Sequence, residues 1–185
     1  MSFFAKPQLY IFVKCKKPSK VEEVAISKDD IIDALHDVKD PEIPTLSVVE
    51  LGIIIDVKVH NGDVKIIMTP TFSGCPALNI LREQVRVRAS KVPGVKSSEV
   101  EISYDTHWTT NIISDEGRRK LKEFGIAPPA CYQSELDVST IAEVSCPYCG
   151  SDDTRMDSPF GPTLCRSIHY CNNCKQTFEQ FKPVD

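Results

Sequence analysis

The sequence predicts an α+β fold, and three observations support this prediction. Apolar residues recur with helical and then with strand spacing over residues 27–107. An Asn61-Gly62 pair separates two alternating apolar runs, which is a strong signal for a β-hairpin. Two Cys-x-x-Cys pairs lie near the C terminus. The predicted architecture is a small α-β-β-α-β sandwich domain followed by a short helix and a C-terminal zinc ribbon.

The first predicted helix begins after Ser27, because Ser27 and Asp30 have the spacing of a capping box. Pro41 is predicted to end it, since the residue before a proline disfavours the helical conformation. One further helical turn is predicted over residues 47–51, ended by Gly52. The apolar face of the first helix comprises Ile31, Ile32, Leu35 and Val38.

Two strands, residues 53–60 and 63–69, flank the Asn61-Gly62 turn. A third strand follows the second helix and contains Val100, Ile102 and Tyr104. One face of the first strand is predicted to be apolar through Ile53, Ile55, Val57 and Val59.

The second helix is predicted over residues 76–92, with Gly94 after it, and a last helix over residues 114–124, with Gly125 as its cap. The inward side chains at the start of the second helix are predicted to be Ala77, Leu78, Ile80 and Leu81.

Composition divides the chain into three parts, residues 1–107, 108–144 and 145–185, and the first of these is divided further into an arm and a domain. The first twenty residues contain five lysines and no acid. They are interpreted either as an edge strand over residues 8–13 that lysines protect from pairing, or as a docking arm for an acidic partner; we favour the edge strand. The four predicted parts are an N-terminal arm (1–26), the sandwich domain (27–107), a helix and linker (108–144) and the ribbon (145–185).

The net charge of −4 argues against a nucleic-acid-binding protein. No apolar run approaches the roughly 18 residues of a membrane helix. Lysines follow the apolar stretch near the N terminus instead of preceding it, which argues against a signal peptide. We therefore expect a cytoplasmic protein whose eight cysteines are thiols or metal ligands and not disulfides.

The two cysteine pairs are Cys146 with Cys149 and Cys171 with Cys174, separated by 21 residues. Each pair in a tight turn directs two thiolates to one ion, and two turns complete a tetrahedral site. Gly150 is predicted to have a positive φ in the first turn. Zinc is favoured as a structural ion, although the spacing leaves a single iron open.

Two more residues of the ribbon are ambiguous. Cys165 is either an additional thiol near the metal or a small buried hydrophobe, and His169 is predicted to have a surface or packing role. The ribbon contains four basic and five acidic residues, hence a net charge of −1. This balance favours a protein-binding or scaffold ribbon over one that contacts nucleic acid.

A second candidate site lies in the loop over residues 69–76. Pro76 suits a first helical position, which makes Cys75 the helix cap, where the dipole favours a thiolate. Cys75 is therefore predicted to be a soft-metal ligand or a nucleophile. Gly74 permits close backbone approach, and the surrounding hydroxyls belong to Thr69, Thr71 and Ser73.

The turn Asp40-Pro-Glu42 is rigid and acidic, and several motifs here resemble known families. Together with Val49-Glu-Leu-Gly52 and the 69–76 loop, it is similar to the SufT-like iron–sulfur assembly family. The motifs Trp108-Thr-Thr, Gly117-Arg-Arg-Lys-Leu, Gly125-Ile-Ala-Pro-Pro129 and Phe160-Gly-Pro-Thr-x-Cys165 resemble the PaaD (PaaJ) family of phenylacetate degradation. The resemblance covers about residues 28–183.

The resemblance implies a non-catalytic accessory protein for assembly or insertion of the iron–sulfur centre of phenylacetyl-CoA epoxidase. Its clients would be the reductase or oxygenase subunits. Cys75 would be the reactive thiol that holds iron or an iron–sulfur species transiently, with Asp40 and Glu42 in the same site and zinc in the ribbon.

Two other functions stay open from the residues. The near-neutral ribbon surface is compatible with a structural or recruiting protein-binding module of the oxygenase complex that does not handle clusters. A thiol enzyme that uses Cys75 is disfavoured, because no histidine is linked in sequence to this cysteine as a base.

Overall fold

The chain folds around two β-sheets, and the computed structural model describes residues 26–72, 74–131 and 144–184. The first sheet has the order β1-β2-β3 and the second the order β4-β7-β6-β5. The helices among these residues are α1 (Lys28–Leu35), α2 (Leu78–Ser90) and α3 (Asp115–Glu123). The strands are β1 (Ile54–His60), β2 (Asp63–Met68), β3 (Ser97–Ile102), β4 (Ile126–Ala127), β5 (Thr154–Ser158), β6 (Arg166–Cys171) and β7 (Thr177–Phe181). This architecture confirms the predicted α+β class; the interpretations of residues 8–13 and of the lysine arm fall outside the described residues.

The predicted hairpin is present, and Asn61 and Gly62 both have positive φ, at 51° and 90°. Strand β1 pairs antiparallel with β2, whereas β3 joins β2 in parallel after α2 has crossed over. The third strand ends at Ile102, earlier than predicted, and Tyr104 beyond it is 63% exposed.

The capping box of α1 is present, because the Asp30 N–H donates to Ser27 Oγ at 3.1 Å and the Asp30 carboxylate accepts from the Ser27 N–H. The predicted end of the helix at Pro41 is wrong, since α1 ends at Leu35. Beyond it the Val48 N–H donates to the Val38 carbonyl at 3.0 Å, which draws the chain into a short antiparallel bridge. Long-range pairing therefore replaces the helical bonds that the apolar spacing indicated.

Two predicted apolar faces contain one wrong residue each. Ile55 is 37% exposed, because a β-bulge between Ile54 and Asp56 shifts the alternation of β1. Ile80 is 54% exposed, because the buried face of this segment follows i, i+4 spacing from Ala77 and Ile80 lies outside that row. The side chains buried along this segment have strict i, i+4 spacing: Ala77, Leu81, Val85 and Ala89.

The segment that follows the first sheet contains α3 and then β4, and β4 joins the second sheet. Helix α3 begins one residue later than predicted, at Asp115, and Ser114 is its N-cap, since Ser114 Oγ accepts from the Gly117 N–H at 3.0 Å. Gly125 then has a φ of 88°, and the next two residues form β4, which pairs in parallel with β7. The sequence did not predict this strand, which makes the linker part of the second sheet.

The second sheet packs on the core of the first half of the chain. Phe181 belongs to the main hydrophobic cluster, and its ring lies 6.0 Å from that of Trp108. The Trp108 Nε1–H donates to the Leu51 carbonyl at 3.0 Å, and the Thr110 N–H donates to the Val184 carbonyl at 2.9 Å. No helix among the described residues is long and apolar enough to cross a membrane.

Candidate functional site

Four cysteine sulfurs converge where the two turns of the ribbon meet. All four lie within 4.8 Å of one another, and they belong to Cys146, Cys149, Cys171 and Cys174. The Cys146–Cys174 and Cys149–Cys171 sulfur pairs are both 3.6 Å apart. A tetrahedral ion with metal–sulfur bonds of about 2.3 Å requires sulfurs about 3.8 Å apart. The arrangement therefore fits one metal ion, as the spacing predicted.

The two cysteine turns have the same backbone geometry. Gly150 has the predicted positive φ, 73°, and Lys175 has a φ of 62° at the matching position after the second pair. The Gly150 N–H donates to the Cys146 carbonyl at 2.8 Å, and the Lys175 N–H donates to the Cys171 carbonyl at 3.0 Å. This repetition positions the two thiols of each pair to face a common centre.

The pKa values of the four thiols depend on one another and on their surroundings. A hydrogen bond from the Ser151 N–H is the largest of the effects that lower the pKa of Cys149 to about 6. Burial, and then the neighbouring thiols, raise the pKa of Cys174 to about 12. A bound cation removes this conflict, because it neutralises the thiolate charges that otherwise repel one another.

A cavity of about 340 Å³ lies between the two halves of the chain. One wall is formed by the loop over residues 71–76, whose Ser73 is outside the described residues. The other wall is residues 161–165 of the ribbon, and Glu42 closes a third side. Both Cys75 and Cys165 line this cavity and are partly buried.

Cys75 is not the helix cap that the sequence predicted. Ala77 occupies that position, and the Cys75 carbonyl only accepts the Leu78 N–H at 3.3 Å. The expected stabilisation of a thiolate is also wrong, because burial raises the pKa of Cys75. The Ala77 N–H acts in the opposite direction, but the carboxylates of Asp40 and Glu42 add to the increase.

The acidic turn lies beside Cys75, as the resemblance implied. Asp40 Oδ1 accepts the N–H groups of Glu42 at 2.8 Å and of Ile43 at 3.1 Å, so the turn is fixed by its own side chain. Glu42 lines the cavity itself, whereas Asp40 acts on Cys75 through its charge. Two carboxylates and a thiol thus share one region.

The other predicted residues of the loop separate into two groups. Thr71 and Gly74 line the cavity, and a Cβ built at Gly74 would meet no atom within 4 Å. Thr69 is buried, and its hydroxyl donates to the Thr106 carbonyl at 2.9 Å, so it holds the loop to the chain after β3.

The sequence did not indicate the ribbon wall of the cavity. Cys165 is absent from the four-sulfur cluster and lies instead opposite the 71–76 loop, with its Sγ 3.1 Å from Thr163 Oγ1. Arg166 was also missed: it is 7% exposed and donates to the Glu42 carbonyl at 3.2 Å. His169 has the packing role that was predicted, since it is fully buried and stacks on Phe178.

Comparison with known proteins adds family information to this geometry. A family model described as an iron–sulfur cluster assembly protein matches residues 28–102, and one described as a PaaD zinc beta ribbon domain matches residues 133–182. The two models thus match the region that contains Cys75 and the region that contains the four-cysteine cluster.

Individual proteins of known sequence or structure are also similar to parts of this chain. A protein of Escherichia coli (strain K12), described as a putative subunit of 1,2-phenylacetyl-CoA epoxidase, is 36% identical over 150 residues, 81% of this chain and 89% of the relative. A protein of Porphyromonas gingivalis, described as an Fe-S protein maturation auxiliary factor, is 35% identical over 96 residues, 51% of this chain and 90% of the relative. A crystal structure of a domain of unknown function, DUF59, from Bacillus anthracis covers 51% of this chain and 90% of its own, with 29% identity and a TM-score of 0.48.

Proposed function

The chain belongs to the PaaD family, which includes the putative epoxidase protein of Escherichia coli, and from this membership we propose that it is an accessory factor that delivers iron or an iron–sulfur species to a client protein. Cys75 holds the cargo through its sulfur. The observation that carries the proposal is the position of this thiol in a cavity lined by Glu42 and next to Asp40. Soft iron binds thiolate sulfur, and the carboxylates favour a cation.

The electrostatics of Cys75 favour a carrier over an enzyme. A thiol whose pKa is raised is protonated at neutral pH and is a weak nucleophile. The residues that line the cavity, all in the described part of the chain, include no histidine to act as its base. A metal cation, in contrast, displaces the thiol proton and gains from the negative surroundings.

The clients of this delivery are the reductase or oxygenase subunits of phenylacetyl-CoA epoxidase. The name of the Escherichia coli relative supports this choice, since the two chains align over most of their lengths. Phe160 and Leu164 are 68% and 58% exposed, and Leu164 lines the cavity. Exposed apolar side chains of this size suit contact with another protein, and here they adjoin the cargo site. The reducing cytoplasm, where thiols stay available, is the location that this role requires.

The ribbon carries a structural zinc ion in this proposal. Its four sulfurs fit the geometry of the ion, and the matching family model is described as a zinc ribbon. The ion neutralises the thiolates and orders the two turns. The turns in turn hold one end of the sheet that contains β5, β6 and β7 in place. Those strands then hold the 161–165 wall of the cavity in place.

The proposal is tested by loading of a client. Purified reductase subunit is reconstituted with iron and sulfide in the presence of the unaltered protein, Cys75→Ser or Cys131→Ser. Cys131 is an exposed free cysteine that belongs neither to the cavity nor to the four-sulfur cluster, so its variant is the matched control. We expect Cys75→Ser to lower the cluster content of the client and Cys131→Ser to leave it unchanged; equal loading by both variants contradicts the proposal.

The exposed apolar residues of the ribbon favour one alternative, a recruiting module without cargo. In that case Phe160→Ser would abolish client binding, and Cys75→Ser would change neither binding nor loading. Our proposal expects Cys75→Ser to keep client binding while losing delivery. Pull-down and cluster content, measured on the same two variants, separate the functions.

A further inference from the structure

The cavity that contains Cys75 has a second thiol on its opposite wall. Cys75 comes from the loop before α2 and Cys165 from the loop before β6, and both side chains line the same space of about 340 Å³. Burial is the main cause of the raised pKa of Cys75, and negative charge on Asp40 and then on Cys165 adds to it. Residues 90 positions apart in sequence are thus brought together by the packing of the ribbon on the first domain.

The position of Cys165 is fixed from both sides. Its carbonyl accepts the Lys182 N–H at 2.9 Å, and this hydrogen bond holds the loop next to the residues that follow β7. On the other side the Arg166 N–H donates to the Thr163 carbonyl at 3.1 Å, closing a tight turn around Cys165. The Thr163 hydroxyl contacts the sulfur at 3.1 Å. The main chain of this cavity-lining residue is thus fixed, and the Thr163 contact restrains its sulfur.

The ribbon metal does not need this thiol. Its four sulfurs already form a complete tetrahedral set, and Cys165 is not among them. Cys165 packs against the edge of the main hydrophobic cluster, but it is only partly buried and also lines a cavity that contains Glu42. Its placement is explained if it contributes to the chemistry of the cavity.

We propose that Cys165 is the second sulfur ligand of the cargo site, so that a soft divalent cation binds between the two domains through Cys75 and Cys165. The inference rests on the proposed carrier function and specifies its ligand set. Binding exchanges two thiol protons for one divalent cation: two S–H bonds break, two metal–sulfur bonds form, and both protons pass to water. No oxidant or reductant takes part. Glu42 lines the third side of the cavity, and its carboxylate lies 3.7 Å from the Arg166 guanidinium.

The arrangement has a consequence for delivery. A cation with one ligand on each domain is released when the two walls separate, because a single remaining thiolate binds far more weakly than the pair. Contact of a client with the exposed Phe160 and Leu164 side chains acts on the 161–165 loop, which contains one of the two sulfurs. The client surface and the release of cargo are thereby connected through one short segment.

Cadmium is a suitable probe, since it is a soft divalent cation whose thiolate complexes absorb in the ultraviolet. Full-length protein with zinc in the ribbon is titrated with Cd²⁺ as the unaltered chain, Cys75→Ser, Cys165→Ser and the Cys131→Ser control, and retained zinc is measured in each sample. We expect the two cavity variants each to weaken Cd²⁺ binding by roughly tenfold or more and to lose about half of the thiolate absorption. The control should bind as the unaltered chain does.

The outcomes separate this inference from the proposed function. If Cys75→Ser loses affinity and Cys165→Ser does not, the carrier function stands and the two-sulfur site is overturned. If neither variant loses affinity, both proposals fail.

A second measurement uses only the unaltered chain, so its result does not depend on whether a cysteine variant folds. Phenylarsine oxide condenses with two neighbouring thiols to give a dithioarsenite and one water molecule. With zinc retained in the ribbon, we expect peptide mapping of the unaltered chain to find residues 75 and 165 joined through one arsenic. Modification of each thiol without such a link overturns the inference.

Discussion

Arg166, at the start of β6, donates through Nη2 to the main-chain carbonyl oxygen of Glu42 at 3.2 Å. Its Nη1 donates to Glu179 Oε2 at 2.8 Å, and the residue is almost fully buried. One guanidinium therefore joins the ribbon sheet to the acidic turn. Because Arg166 directly follows Cys165, this contact positions the 161–165 wall of the cavity against its third side, where Glu42 lies.

Replacing Arg166 by methionine keeps an unbranched side chain and removes the donors. The Glu179 carboxylate and the Glu42 carbonyl would then lose their partner at a buried boundary. We expect the free energy of unfolding to fall by about 2 kcal/mol, less than for a fully buried ion pair, because the Glu179 side chain is 30% exposed. Denaturant titration measures this change, and arsenical cross-linking of residues 75 and 165 should also decrease.

Arg86→Met is the matched control for this prediction. Arg86 forms an exposed i, i+3 pair with Glu83 on α2. Removing an exposed pair costs less than about 0.5 kcal/mol in most cases. Equal unfolding midpoints for the two methionine variants would mean that Arg166 does not tie the domains together.

Removal of the ribbon metal should unfold one sheet and spare the other. The second sheet has a small buried cluster of its own, whereas β1, β2 and β3 pack on the main core. Binding of a structural metal supplies folding free energy on the order of 10 kcal/mol, which this small cluster lacks. Hydrogen exchange before and after chelation should show loss of protection in β6 and β7 and retention in β1 and β2.

Cys171→Ser is the genetic form of the same experiment, and Cys131→Ser is its control, because only the former removes a sulfur of the cluster. Protection of β6 that survives complete loss of metal would show that the sheet folds without the ion.

The sequence predicted those features whose signals are local. The Ser27 capping box, the Asn61-Gly62 hairpin and the positive φ of Gly150 each depend on a few neighbouring residues, and all are present. The bulge that exposes Ile55 and the bridge that follows α1 depend on pairing with residues eight or more positions away in the chain. Such pairing competes with local periodicity and is not visible in it.

The same distinction applies to the candidate site. The four ribbon cysteines could be grouped from spacing alone, because each pair lies within one turn. The cavity is different, since Cys165 reaches Cys75 only through packing of the second sheet on the first domain. The displaced start of α2 has a local origin instead: the Cys75 N–H donates to the Phe72 carbonyl at 3.1 Å, and this turn precedes the helix.

Glu50 should make stability depend on pH. Burial acts to raise its pKa, but hydrogen bonds from Lys120 and from Ser47 outweigh burial and lower the pKa from 4.5 to about 2. A depressed carboxyl pKa stabilises the folded state above the unfolded pKa, and this contribution is lost as the pH falls from 4.5 towards 2. At neutral pH the contribution is about 3 kcal/mol. Denaturant unfolding of Glu50→Gln at about pH 7 and about pH 2.5 should show a large deficit at the higher pH and a smaller one at the lower.

Glu83→Gln removes an exposed carboxylate and serves as the comparison, with an expected loss below about 0.5 kcal/mol near neutral pH. A deficit in Glu50→Gln that is the same at both pH values would indicate that the residue acts by packing and not through its charge.

Asp40→Asn isolates the charge of the acidic turn from its shape. An asparagine oxygen can still accept the N–H groups of Glu42 and Ile43, so the turn should keep its conformation. Burial is the main cause of the raised pKa of Cys75, and the Asp40 charge adds to it; loss of that charge therefore lowers the pKa and increases the thiolate fraction near neutral pH. We expect Cys75 to be alkylated several-fold faster in this variant, as measured by mass mapping, while Cd²⁺ binding becomes weaker because one nearby negative charge is gone.

Asp63→Asn, at the β1–β2 hairpin, removes a carboxylate elsewhere and should change neither the alkylation rate of Cys75 nor the affinity for Cd²⁺. A variant in which alkylation and metal affinity increased together would contradict the view that the acidic turn attracts the cation.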